Sequence, residues 1–220
     1  MNTLRTLVQW HAEEHLRRND PFGWCEKVYH DAQGDELQVP WASLEPNPHL
    51  VRWFREAGWD GNGKKALVVG CGLGDDAEFL SRKGFETTAF DVSPTAIRWA
   101  QHRFPRGKVQ YELADLFETP ESWEGRFDLV VEAYTLQSFQ PPYRSQAAGP
   151  LASFLAPQGL LWVITRGRNP NEETSGPPWP LTRGELDSLR RTGLRSVASE
   201  DFIEPGEDGA VLRYLGLYRK

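Results

Sequence analysis

Apolar residues fall along this chain in short runs that alternate with stretches of helical spacing, regularly so from about residue 65 onward. Ala66-Leu67-Val68-Val69 is a continuous apolar run closed by Gly70, which predicts a strand buried on both faces. Residues 75–83 place Ala77, Phe79 and Leu80 at helical spacing and stop at Gly84. Residues 86–90 predict a second strand. Ser93-Pro94 then predicts a helix start, with serine at the cap and proline in the first turn, and the helix runs to about Phe104. Residues 109–113, 127–132 and 159–165 predict three more strands, with a helix over 142–155. Alternation of this kind argues for a parallel, doubly wound sheet.

The two ends of the chain depart from that rhythm. Residues 182–192 predict a helix, and two strand-like runs follow at 195–203 and 211–218. The turn-rich Pro205-Gly206-Glu207-Asp208-Gly209 joins them so briefly that they must be antiparallel. At the other end, Leu4, Leu7, Val8 and Leu16 predict an amphipathic helix over 3–18. Residues 19–48 are crowded with Gly, Pro, Asn, Asp and aromatics, and predict an irregular loop wrapping over a pocket. A helix over 48–57 leads to the turn Gly61-Asn62-Gly63. The division expected is a helical and aromatic flap over 1–60 and an α/β domain over 61–220.

Composition narrows the choice of partners. A net charge of −6 argues against a nucleic-acid surface, which needs a concentrated basic face, and gives no attraction to anionic membranes. The arginines at 183, 190, 191 and 195 are interleaved with acids and read as a solvated face. Two cysteines without CxxC spacing predict neither disulfide nor zinc, and no metal site is expected. With no apolar leader after Met1 and no membrane-length run, the expected setting is the cytoplasm, as a monomer or homodimer. Nine tryptophans are many for 220 residues, and five of them lie in the first 60.

The chemistry gathers after the strands, where open α/β sheets bind ligands. Gly70-Cys71-Gly72-Leu73-Gly74 ends the first strand, and its glycines allow a sharp turn and close approach to a ligand. A dinucleotide loop would read GxGxxG. Here the third glycine comes one residue early, and Asp75-Asp76 would repel a pyrophosphate at the helix N-terminus. Asp91 ends the second strand, 21 residues after Gly70 (91 − 70), where a carboxylate can accept from both ribose hydroxyls; Val92 follows it. Asp115-Leu116, after the third strand, suits the edge of an adenine, and Glu132 to Thr135, after the fourth, lie where cofactor and substrate would meet.

Val68-Val69-Gly70-Cys71-Gly72-Leu73-Gly74, Phe90-Asp91-Val92-Ser93, Ala114-Asp115-Leu116 and Phe127-Asp128-Leu129-Val130-Val131-Glu132 resemble the successive motifs of class I S-adenosylmethionine methyltransferases. The resemblance covers roughly residues 65–165. It implies a Rossmann-like, three-layer αβα fold with seven strands, the final pair antiparallel. S-adenosylmethionine would then be held by Trp41, Gly70, Cys71, Gly72, Asp75, Asp91, Val92, Asp115, Leu116 and Glu132. Gly176-Pro177-Pro178-Trp179-Pro180-Leu181-Thr182, with the aromatic flap, is similar to small-molecule members around thiopurine, thiol, halide and tellurite methyltransferases; the covering loop there would correspond to Trp24 through Trp41. Gln140-Pro141-Pro142-Tyr143 looks like the PPY motif of amino-group methyltransferases but stands too far after Glu132, and reads instead as a helix start.

In-line displacement at the methyl carbon gains most from holding the nucleophile close and collinear with the departing sulfur. Tyr29, Trp41 and Tyr134 are candidates to face the sulfonium, and Tyr29 and Tyr134 are the catalytic candidates. Glu26, Tyr29 or His30 could manage a proton, while Trp24, Arg144 and Arg166 are candidates for holding a small acceptor. Three other readings stay open: a cofactor-binding regulator that transfers nothing, methylation of protein or nucleic acid, and an NAD-dependent oxidoreductase.

Overall fold

The computed structural model describes residues 3–206 and 209–220, and the chain divides into two compact units, one through Asp115 and one from Leu116. Its seven strands form a Rossmann-like sheet of the doubly wound type.

The first unit opens with α1 (Thr3–Arg17), α2 (Gly23–Asp31) and α3 (Pro48–Ala57). The helix α2 corrects the expectation of an irregular loop over 19–48. Trp24, Val28 and Tyr29 share one buried face, and the Asp20 side chain accepts from Gly23 N (2.9 Å) to start the helix. The turn-forming residues bracket a short helix here rather than exclude one. Then β1 (Lys65–Val69), α4 (Asp75–Arg82), β2 (Glu86–Asp91), α5 (Pro94–Arg103) and β3 (Gln110–Leu113) follow as expected to within a residue or two. β1 pairs β2, and β2 pairs β3, both in parallel. Ser93 caps α5, its side chain accepting from Ala96 N, and Pro94 fills the first turn.

The second unit holds β4 (Phe127–Ala133), α6 (Pro141–Ser153), β5 (Leu155–Arg166), α7 (Arg183–Asp187), β6 (Arg195–Gly206) and β7 (Gly209–Arg219). Gln140-Pro141-Pro142-Tyr143 is the start of α6, with proline in its first turn. β5 begins earlier than expected, because Gln158 takes a left-handed φ of 66° and the register against β4 shifts between Phe127 and Leu129. The predicted 182–192 helix divides into α7, opened by a Thr182–Glu185 capping box, and a 3-10 turn over Ser188–Thr192. β7 runs antiparallel to both β5 and β6, as the short connection requires. Of that connection, Glu207 and Asp208 lie outside the described residues.

Buried aliphatics fill β1, β4 and β5, with Leu67, Leu129 and Leu161 at 0% exposure. Leu161→Ala is expected to destabilise the protein by about 2–5 kcal/mol, since both the lost burial and the cavity count against it. Equilibrium urea unfolding measures this.

Candidate functional site

The glycine turn after β1 is built on left-handed backbone. Gly70, Gly72 and Gly74 have φ of 60°, 51° and 89°. At Gly72 a Cβ would stand 3.0 Å from Tyr29 Oη, and at Gly74 it would meet Tyr111 Oη at 2.4 Å, so neither position accepts a side chain. Asp91, buried at the end of β2, binds this turn. Its Oδ2 accepts from Gly72 N and its Oδ1 from Ser93 N, each at 2.9 Å. Burial raises the Asp91 carboxyl above its usual range, while these amides pull it back. Each oxygen keeps a further lone-pair direction. A bare glycine backbone beside a buried strand-end carboxylate fits the ribose and methionine portions of the S-adenosylmethionine that the motifs imply. Gly70, Cys71, Gly72 and Asp91 could hold that group.

Helix α2 packs its aromatic face on this turn. Tyr29 lies in one buried cluster with Leu73 and Ala96. Trp41 donates its indole N–H to Tyr29 Oη (2.7 Å), and Trp24 and Trp99 stand edge-on to Trp41 and Tyr29 respectively. Burial and the nearby Asp91 push the Tyr29 phenol well above its ordinary range, so it stays protonated and is not poised as a base. Trp24 is buried, with its N–H on the Pro21 carbonyl (3.1 Å), and thus backs Trp41 instead of facing an acceptor as expected. Trp41 is 43% exposed and presents the open face of the cluster.

Glu26 fills a role that the sequence did not disclose. Its carboxylate accepts from Ser93 Oγ (2.6 Å), Thr95 Oγ1 (2.6 Å) and Thr95 N (3.0 Å), clamping α2 to the N-terminus of α5. These bonds hold its carboxyl below the usual range against the opposing effect of burial, so it is not poised as a base. His30 lies on the exposed side of α2 beside Asp31. No local signal could have shown the clamp, because its partners are 67 and 69 residues apart.

Asp75, expected to touch the cofactor, is instead gripped at both oxygens by Arg103 (2.8 and 2.9 Å), which also donates to the Leu73 carbonyl. That pair offsets one of the charges expected to repel a pyrophosphate, although Asp76 and Glu78 remain in the same turn of α4. Asp76 accepts from Asn47 N (2.6 Å), and loss of solvation raises its carboxyl to about 6. Val92 is partly exposed beside Asp91, and Asp115 is half-buried at the end of the unit.

In the second unit, Leu116 is buried and Glu132, one place before the end of β4, is at 0% exposure. Glu132 Oε1 accepts from Thr135 N (2.6 Å) and Leu136 N (2.9 Å). Tyr134, between them, has a left-handed φ of 66°, and the Arg213 guanidinium lies 5.0 Å over its ring. Gln137 Oε1 accepts from Arg166 N (2.7 Å), so Arg166 is tied here by its backbone. Arg144 corrects its expected role of gripping an anionic acceptor. Its buried guanidinium donates to the carbonyls of Phe139, Trp179 and Pro180 and pairs with Glu185 (2.8 Å), which leaves it a latch between two loops. Among the described residues no group of acids, histidines and cysteines could hold a metal ion, and no helix is long and apolar enough to cross a membrane.

The chain is similar to known proteins. The family described as "Methyltransferase domain" matches residues 66–159. The chain is 31% identical to a probable thiol methyltransferase 2 of Arabidopsis thaliana, over 79% of this chain and 74% of the relative. It is 27% identical to a ubiquinone biosynthesis O-methyltransferase of Bordetella avium, over 78% of this chain and 69% of that one. In fold it is similar to the N-methyltransferase NodS of Bradyrhizobium japonicum in complex with S-adenosylhomocysteine, with a TM-score of 0.65 and 22% identity over 88% and 98% of the two chains.

Two outcomes test the cradle. Asp91→Ala is expected to weaken S-adenosylhomocysteine binding at least tenfold, because each hydrogen bond to a charged group contributes about 1.5–3 kcal/mol; titration calorimetry measures it. Asp76, raised from 3.8 to about 6, keeps a proton in the folded state that the unfolded chain has released. It therefore contributes stability that is full below its unfolded value and is lost as pH rises through about 6. Asp76→Asn should flatten the fall in melting temperature across that window. In its motif order, its glycine cradle and its relatives alike, the chain belongs to the class I S-adenosylmethionine-dependent methyltransferases.

Proposed function

We propose that this enzyme transfers the methyl group of S-adenosylmethionine to a small acceptor, a thiol, thiopurine-like heterocycle or halide, by in-line displacement. The observation that carries the reading is the state of α2. Its one internal acid, Glu26, is consumed in the clamp on Ser93 and Thr95, while Tyr29 and Trp41 offer an aromatic face at the glycine turn. That surface can orient a soft nucleophile but supplies no proton acceptor of its own. The similarity to a thiol methyltransferase supports the same class. In this reading the flap over residues 1–60 covers the acceptor, Trp41, Val92, Asp115 and Leu116 complete the cofactor contacts, Tyr29 and Tyr134 face the reacting centre, and Arg166 borders the acceptor. We place the reaction in the cytoplasm, in a monomer or homodimer, consistent with two unpaired cysteines and a net charge of −6.

A second reading is a phenolic hydroxyl as acceptor, favoured by the similarity to a ubiquinone biosynthesis O-methyltransferase. The purified protein should be given S-adenosylmethionine with an alkyl thiol, an aromatic thiol, a thiopurine, iodide, a catechol and a mixed peptide pool, and S-adenosylhomocysteine release followed. Turnover with the sulfur acceptors is expected. Turnover confined to the catechol selects the second reading, and turnover confined to peptides overturns both. Tight cofactor binding with no turnover on the panel would identify a regulator.

A further inference from the structure

We infer that Glu132 is the proton acceptor for the methyl acceptor, an inference that rests on the thiol-type substrate proposed above. The residue stands one place before the end of β4, near the edge where open α/β sheets take their ligands. It is wholly enclosed, and its two oxygens differ. Oε1 is held by the amides of Thr135 and Leu136, while Oε2 is buried with no hydrogen-bond partner among the described residues. The left-handed Tyr134 turns the chain back over the carboxylate so that both amides reach one oxygen. A buried carboxylate oxygen without a partner is costly, so a turn that fixes one oxygen and leaves the other bare suits a donor brought by the ligand.

The surrounding frame is rigid. Gln137 bonds Arg166 N through its side chain and accepts from Trp179 N through its carbonyl (2.7 Å each), and Arg144 joins the Phe139 carbonyl to those of Trp179 and Pro180. Burial raises the Glu132 carboxyl to about 7 and the two amides oppose that rise; no charged side chain of the described residues contributes. A carboxyl at that value can take or release a proton near neutral pH. With no cation to hold it ionised, it suits a donor that arrives neutral. In the step inferred, the S–H bond of the thiol breaks, the proton passes to Oε2, and the electron pair stays on sulfur as the nucleophile.

The test compares an alkyl thiol, which must lose its proton, with an aromatic thiol already ionised at the working pH. Glu132→Gln should lower kcat/KM for the alkyl thiol by about 100-fold, the scale of general-base catalysis, and change the aromatic thiol less than about threefold. The alkyl-thiol profile of the native enzyme should rise through an apparent value near 7 that the variant lacks. Without any cofactor, an infrared carboxyl band should titrate near that pH in the native protein and be missing in the variant. Glu132→Asp, which restores a carboxylate, should recover part of the alkyl-thiol rate. Equal losses with both thiols in folded Glu132→Gln would overturn the role of Glu132 and leave the proposed substrate class standing. A native enzyme inactive on both thiols would overturn the substrate class, and the role with it.

Discussion

The buried carboxylate of Asp91 holds the first unit's site together. One oxygen fixes the left-handed glycine turn at Gly72, and the other fixes Ser93 at the entry to α5. Ser93 in turn receives Glu26 from α2, so three stretches of chain meet at the end of a single strand. Tyr29 can lie against the turn because Gly72 carries no Cβ, as Tyr111 can because Gly74 carries none, and Trp41 docks on Tyr29 through its N–H. The cover of the cofactor loop therefore depends on the same glycines that expose its backbone.

The end of β4 solves a similar problem with a different balance. There, too, a buried carboxylate holds the amides of the loop that follows, and in both cases burial pushes the carboxyl upward. Asp91 has both oxygens engaged by backbone, whereas Glu132 has only one. Arg144 shows the opposite use of a buried charge. Three carbonyls and Glu185 engage all three of its nitrogens, and its effect is to fix loops rather than to meet a ligand.

The tryptophans divide along the same line between packing and surface. Trp53 and Trp59 join Phe54, and with Phe79 and Phe85 they make an aromatic layer packed around α3. Trp24 is a buried support in the flap. Trp41 alone among these combines contact with Tyr29 and substantial exposure, which is the combination a ligand-facing ring needs.

The sequence by itself determined the strand–helix alternation, the glycine turn, the strand-end positions of Asp91 and Glu132, the Ser93-Pro94 cap and the antiparallel final hairpin. These rest on short-range rules: period, turn chemistry, and the length of a connection. Helix α2 was hidden by the turn residues around it, because its stability comes from burying Trp24, Val28 and Tyr29 rather than from local propensity. Only the tertiary structure decided which charges are free. Asp75 against Arg103, Glu26 against Ser93 and Thr95, and Arg144 against the Trp179 carbonyl join residues 28, 67, 69 and 35 positions apart. Pairing of that kind follows from where the fold brings side chains together, and no periodicity along the chain encodes it.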